Sequence, residues 1–216
     1  MVRKAFTLIE LIFSIVVLSI AFLAIPVLLE MTSLSLEETV KDEATFQGIR
    51  TAGAIQTYAW DDNSLSQDAN ESYILDTSNG DSELGRYNSS QFRIGNYYLG
   101  KKRKFHPATT LASTALGSDP GDTIKDDIDD FNNYVENIQS TIVDLNVKTK
   151  IYYIADSANY AQSHINFTIN PTSVSPSTNI KMIEVNITDK NNNQVLLYRT
   201  ISCNIGSAPI KTRFYR

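Results

Sequence analysis

The chain has 216 residues, with 19 basic and 24 acidic side chains and a formal net charge of −5. That balance argues against nucleic acid as a partner of the whole surface, and 42% hydrophobic with 20% charged residues points away from disorder. A single cysteine, Cys203, excludes an intrachain disulfide and reads as a small hydrophobe in a strand rather than a nucleophile. Much of the apolar content falls in the first thirty or so residues. The remainder is rich in Asn, Ser, Thr and Asp, with eleven Tyr in all, as suits a β-rich domain with a hydrophilic exterior.

The first element is an apolar helix. No charged residue occurs from Leu11 to Leu29, a run of about nineteen residues that spans roughly a ~30 Å hydrocarbon core. Arg3 and Lys4 precede it, which places Met1 in the cytoplasm and the bulk of the chain outside. Ser19-Ile20-Ala21 supplies the small-x-small triplet of a secretory signal, but the run is longer than a usual signal core. A plain anchor explains the run and leaves Glu10 as an unexplained cost, because a charge inside a bilayer is unfavourable by a few kcal/mol or more.

The segment "KAFTLIEL" gives Glu10 a role. With the apolar run behind it, it resembles the processing site of type IV pilins and type II secretion pseudopilins, the class 3 prepilin signal. The resemblance covers roughly residues 1–30. It implies a leader over residues 1–5, a cut between Ala5 and Phe6, and N-methylation of Phe6. Glu10, the fifth residue after the cut, would pair in a filament with the new amine of a neighbouring subunit. Two positions depart from the family pattern: Ala5 stands where glycine is usual, and Pro26 lies one residue earlier than the usual helix proline. Pro26 predicts a kinked or locally melted helix.

The helix is expected to continue to about Trp60. Leu36, Val40, Ala44, Gly48, Ala52, Ile55 and Ala59 form one face at helical spacing, to pack under a sheet. Residues 61–123 are turn-rich and polar, interrupted by short apolar pieces at Tyr73-Ile74-Leu75 and Asn96-Tyr97-Tyr98-Leu99. A second helix is expected over Thr123–Gln139, from Ile124, Ile128, Phe131, Val135 and Ile138, with Asp122 as N-cap. Strands are expected over 148–155, 164–169, 180–188 and 195–203. "MIEVNIT" alternates, with Ile183, Val185 and Ile187 on one face, and "DKNNNQ" closes the last two strands into an antiparallel hairpin.

No catalytic constellation is present. His106 reads as a loop residue and His164 as a structural residue at a strand start, and neither has ligand spacing. The six Asp of "DPGDTIKDDIDD" lack EF-hand spacing, and a solvated acidic helix start accounts for them without an ion. Lys101, Lys102, Arg103 and Lys104 form the one basic cluster, a weak lead to DNA with no aromatic ladder beyond Tyr97, Tyr98 and Phe105.

The expected fold class is therefore α+β, a pilin-like fold with a long hydrophobic helix packed against a carboxy-terminal antiparallel sheet. The expected divisions are 1–5 leader, 6–30 transmembrane and filament-core helix, 31–60 amphipathic continuation, and 61–216 periplasmic domain. No enzymatic activity, cofactor or metal is expected. The resemblance implies other pilin or pseudopilin subunits, a prepilin peptidase and an inner-membrane assembly platform as partners. It implies a single-pass inner-membrane protein that is extracted into a filament. The long variable middle favours a minor pseudopilin of a type II secretion-like system. A minor pilin of a type IV pilus or DNA-uptake system, and a membrane-tethered periplasmic binding module that never polymerises, are the alternatives.

Overall fold

The structure, a computed structural model, describes residues 7–65, 72–86, 103–109, 111–118, 124–139, 143–160 and 162–206. It divides into two compact units, Met1–Glu43 and Ala44–Arg216, and helix α1 (Leu8–Ile55) contributes to both.

The described part of the first unit is helical from Leu8 and exposed almost throughout. Its hydroxyls are satisfied within the helix: Ser14 and Ser19 donate to the carbonyls of Glu10 and Ile15 at 2.7 Å, and Thr32 to Leu28 at 2.8 Å. Internally bonded in this way, they are compatible with an apolar surround. Local melting at Pro26 is not observed; the helix is unbroken through it. Proline removes a single N–H from the ladder, and the turns on either side maintain the helix.

In the second unit, Ala44, Gln47, Gly48, Thr51, Ala52 and Ile55 are the buried residues of α1, at the spacing of one helical face. Leu36, expected on this stripe, is exposed. The small residues let the helix lie close to the sheet: a Cβ at Gly48 would sit 3.2 Å from Leu196 Cδ2 and 3.5 Å from Ile187 Cδ1. The helix ends five residues before the expected limit. The Thr57 and Tyr58 N–H groups bond to Ala54 and Ile55 in a tighter turn, and Ala59 leaves to form a parallel bridge with Asp127.

Four strands follow, β1 (Val135–Gln139), β2 (Asp144–Tyr153), β3 (Ile180–Asp189) and β4 (Gln194–Cys203), in the antiparallel order β1-β2-β3-β4. The β3–β4 hairpin forms as expected, with Val185 opposite Tyr198. Asp189 organises its turn by accepting from the Asn193 side-chain amide at 2.9 Å and from the N–H groups of Asn193 and Asn191, both at 2.8 Å, and these bonds, the side-chain one first, hold its carboxyl below the usual range. On the face toward α1, Val147, Ile151, Ile183, Val185 and Ile187 are buried. On the other face, Tyr152, Ile154, Ile180 and Met182 form a cluster against which Phe167, Ile201 and Cys203 pack.

Two expected elements are corrected. Among the described residues, 123–139 is not a helix: a single 3-10 turn, Asp129–Phe131, leads into β1, and Ile124 is 75% exposed. The 4-3-4-3 spacing was satisfied by other means, with Ile128 and Phe131 buried and Ile138 paired to Leu145. Aspartate and asparagine side chains compete here for the backbone. Asp127 accepts from the Asp130 N–H at 3.0 Å, Asp130 from the Asp126 N–H at 3.0 Å, and Asn132 from the Ile151 N–H at 3.0 Å. Asn133 then adopts φ 63°, which ends any helix. The second correction is 164–169, which joins no strand; it runs as irregular chain, and Phe167 packs across the sheet face rather than along an edge. His164 is exposed there. The anticipated N-cap Asp122 and Asn96–Leu99 lie outside the described residues.

Candidate assembly site on the amino-terminal helix

Thr7 and Glu10 begin the helix as half of a capping box. The Thr7 N–H and hydroxyl both reach Glu10 Oε2, at 3.3 and 3.2 Å, while the Thr7 carbonyl accepts from Glu10 and Leu11 at 3.1 and 3.2 Å. A carboxylate in the first turn also faces the positive end of the helix dipole. Both residues are exposed. Behind them the surface is apolar on all sides: Leu8, Phe13, Leu18, Phe22 and Leu29 are each more than half exposed. Burying each such side chain is worth about 1.5–3 kcal/mol, and α1 is the one described helix long and apolar enough to cross a membrane.

Of the other expected site residues, Ala5, Phe6, Lys101 and Lys102 lie outside the described residues. Arg103 is half-buried, and Lys104 is exposed beside buried Phe105, its carbonyl accepting from Ile74 at 2.8 Å. Phe105 stacks beneath Arg86 at 4.7 Å. Tyr73 meets the edge of His106.

Sequence reasoning missed a polar cluster inside the domain. Lys181, fully buried on β3, donates to the Trp60 carbonyl at 2.5 Å and meets Asp129 Oδ1 at 2.7 Å and Asp61 Oδ2 at 3.3 Å. The rings of Trp60 and Tyr153 lie 4.0 and 5.6 Å from its ammonium. Asp61 also accepts from the Ser113 and Asn63 N–H groups at 2.8 and 3.1 Å. Beyond it, Asp127 accepts from the Asp62 N–H at 2.9 Å. Burial pushes the Asp129 carboxyl up to about 7 against the pull of Lys181. Burial, then the neighbouring Asp127 and Asp126, raises Asp62 to about 7. The acidic run is thus not a solvated helix start, since Asp127, Asp129 and Asp130 are buried. Among the described residues no group of three or more His, Cys, Asp or Glu is arranged to hold a metal ion. The signal that points to Lys181 is parity: in "IKMIEVNI" it falls on the same face as Ile183, Val185 and Ile187.

Residues 1–26 match the family model for the prokaryotic N-terminal methylation motif. No curated protein and no solved structure matches the chain. With this motif at the head of a long apolar helix and an α+β arrangement of helix and four-stranded antiparallel sheet, the chain fits the type IV pilin-like family. It carries the signal of a prepilin peptidase substrate, and that class of protein is structural rather than catalytic.

Proposed function

We propose that this chain is a minor subunit, a minor pseudopilin of a type II secretion-like system, built into an envelope filament through α1. A prepilin peptidase removes residues 1–5 between Ala5 and Phe6, and Phe6 becomes the methylated first residue. Residues 6–30 then form the transmembrane and filament-core segment, 31–60 its continuation, and 61–216 the periplasmic domain. The inner-membrane assembly platform extracts the subunit. Glu10 sets the register by pairing with the amine of Phe6 on a neighbour, which offsets the cost of a carboxylate among apolar helices.

The observation that carries this reading is the methylation motif running directly into a helix whose apolar surface is exposed on every side, with Glu10 in its first turn. The mass of the amino-terminal peptide from native cells tests it. A peptide beginning at methylated Phe6 is expected; one retaining Met1–Ala5, or beginning near Phe22, refutes it. One observation favours the membrane-tethered module instead: Glu10 already has a partner within its own chain, Thr7. That reading predicts a chain retaining Met1–Ala5 and indifferent to loss of the Glu10 charge.

A further inference from the structure

Lys181, Asp129 and Asp61 are buried together without the dispersed solvation that ion pairs normally keep. Side-chain exposure is 0% for Lys181, 0% for Asp61 and 5% for Asp129. Both oxygens of Asp129 approach Lys181 Nζ, at 2.7 and 2.9 Å, which brings its carboxyl carbon into van der Waals contact with the nitrogen. Proximity of the reacting atoms in a water-poor site is the first requirement of a near-attack arrangement. The Trp60 and Tyr153 rings wall the nitrogen on two sides. The Tyr153 hydroxyl is turned away, donating to the Ser113 carbonyl at 2.6 Å.

We propose that Lys181 and Asp129 are joined by an intramolecular isopeptide bond, formed by the folded domain itself with Asp61 as the proton carrier. The ion pair is the reactant state. A proton passes from the ammonium to the Asp129 carboxylate, giving a neutral amine and a neutral acid. The amine lone pair then attacks the carboxyl carbon, and the carbonyl electron pair moves onto oxygen. Asp61, 3.3 Å from the same nitrogen, takes the proton that the nitrogen sheds and delivers it to the departing hydroxyl. The Cγ–O bond breaks, the carbonyl reforms, and one water leaves. Ammonium plus carboxylate thus becomes amide plus water, and Asp61 is regenerated as a carboxylate. No oxidant or cofactor is consumed.

The surroundings suit each step. Burial favours the neutral form of Asp129, which is the electrophile. Asp61 is held by the Ser113 and Asn63 N–H groups, with the Ser113 hydroxyl at 3.3 Å, so it stays in place beside the Lys181 nitrogen. The other charged groups facing the trio come from the 124–130 segment and the turn after α1: Asp62, Lys125, Asp127 and Asp130. A polar cavity of about 10 Å³, lined by Asp62, Ser113, Asp127, Asp129 and Asp130, adjoins the Asp129 carboxyl and has room for about one water. It is the exit for the leaving group. In a chain with a single cysteine, such a bond ties β3 to the segment before β1 where no disulfide is available.

The test is peptide mapping by mass spectrometry of the full chain, purified in detergent and denatured. Trypsin is expected not to cut after Lys181, and the peptide carrying Asp129 is expected joined to it, the sum lighter by one water. Recovery of two separate linear peptides, with cleavage after Lys181, overturns the proposal. Asp129→Asn should lose ammonia instead of water and converge on a linked peptide of the same mass as wild type. Asp61→Asn, checked for folding by circular dichroism, should leave the peptides unlinked; a linked product in that variant overturns the role given to Asp61.

Discussion

Replacing Glu10 by leucine separates the two things a first-turn carboxylate can do. Among the described residues the Glu10 carboxylate meets Thr7 alone, through two exposed contacts at 3.3 and 3.2 Å. An N-cap interaction of this kind is worth about 0.5–2 kcal/mol. Placing a carboxylate in the apolar part of a bilayer costs about 2.5–3.5 kcal/mol at the centre and less toward the interface. On its own, then, Glu10→Leu makes insertion more favourable, and the amount of chain in the membrane fraction should stay equal or rise. If Glu10 pairs with a neighbour's amine, the same substitution leaves a buried ammonium without its counter-ion. Breaking a buried pair from one side costs about 3–5 kcal/mol, and at 1.4 kcal/mol per factor of ten that is a loss of a hundredfold or more in incorporation. The assay is quantitative blotting of the membrane and sheared-filament fractions of native cells, with Thr7→Ala alongside. Were capping the whole role of Glu10, the two variants would be impaired to the same small extent. Wild-type amounts of Glu10→Leu in the filament fraction would refute the pairing argument.

Two further outcomes concern the domain. A Cβ at Gly53 meets nothing within 4 Å, so Gly53→Ala should stabilise by about 0.5–1 kcal/mol through backbone entropy and helix propensity. Gly48→Leu should destabilise by about 1–3 kcal/mol, because the helix already lies against Leu196 and Tyr198; urea denaturation of the two variants decides, and equal midpoints would contradict the packing described. Asp62, raised from 3.8 to about 7 by burial and its neighbours, binds a proton on folding. Its contribution is full below about pH 4 and is lost as pH rises through 7. Because the residue is partly exposed, the effect should be no more than ~1–2 kcal/mol. Asp62→Asn should flatten the fall in stability between pH 5 and 8, and a variant profile parallel to wild type would count against the shift.

The elements that could be read from sequence are those whose periodicity had no competitor. The apolar run has only one reading as a secondary structure, and β3 alternates from Ile183 to Thr188, so both appeared with bounds close to those expected. The failure at 123–139 has a specific cause. Apolar residues at spacings of four and three served a helical pattern equally well as a buried turn followed by a strand, and periodicity ignores the Asp and Asn side chains that bind the intervening N–H groups. Residues 164–169 have the composition of a strand, but Phe167 is engaged by a sheet face instead of an edge. Lys181 was hidden for a related reason: inward parity is visible in the sequence, whereas Asp61 and Asp129, which make burial of an ammonium tolerable, lie 120 and 52 residues away.

The contrast between the units follows from what each must satisfy. On the proposed function, the amino-terminal helix has to present a surface that peptidase, membrane and neighbouring helices all accept, which would confine it to a short basic leader, a carboxylate at fixed spacing and uninterrupted apolar character. Those constraints are local in sequence, and residues 1–26 are where the family match falls. The buried polar cluster of the domain is a constraint of its interior. The turn after α1, the 3-10 segment and the start of β3 meet at one lysine through contacts that span 50 residues or more. Substitutions at Lys181 or Asp61, and at Asp129 other than to Asn, should therefore act on the domain's integrity, and substitutions at Glu10 on its incorporation. A Glu10 variant that unfolds the domain, or a Lys181 variant that stays folded yet fails only to enter the filament, would break that separation.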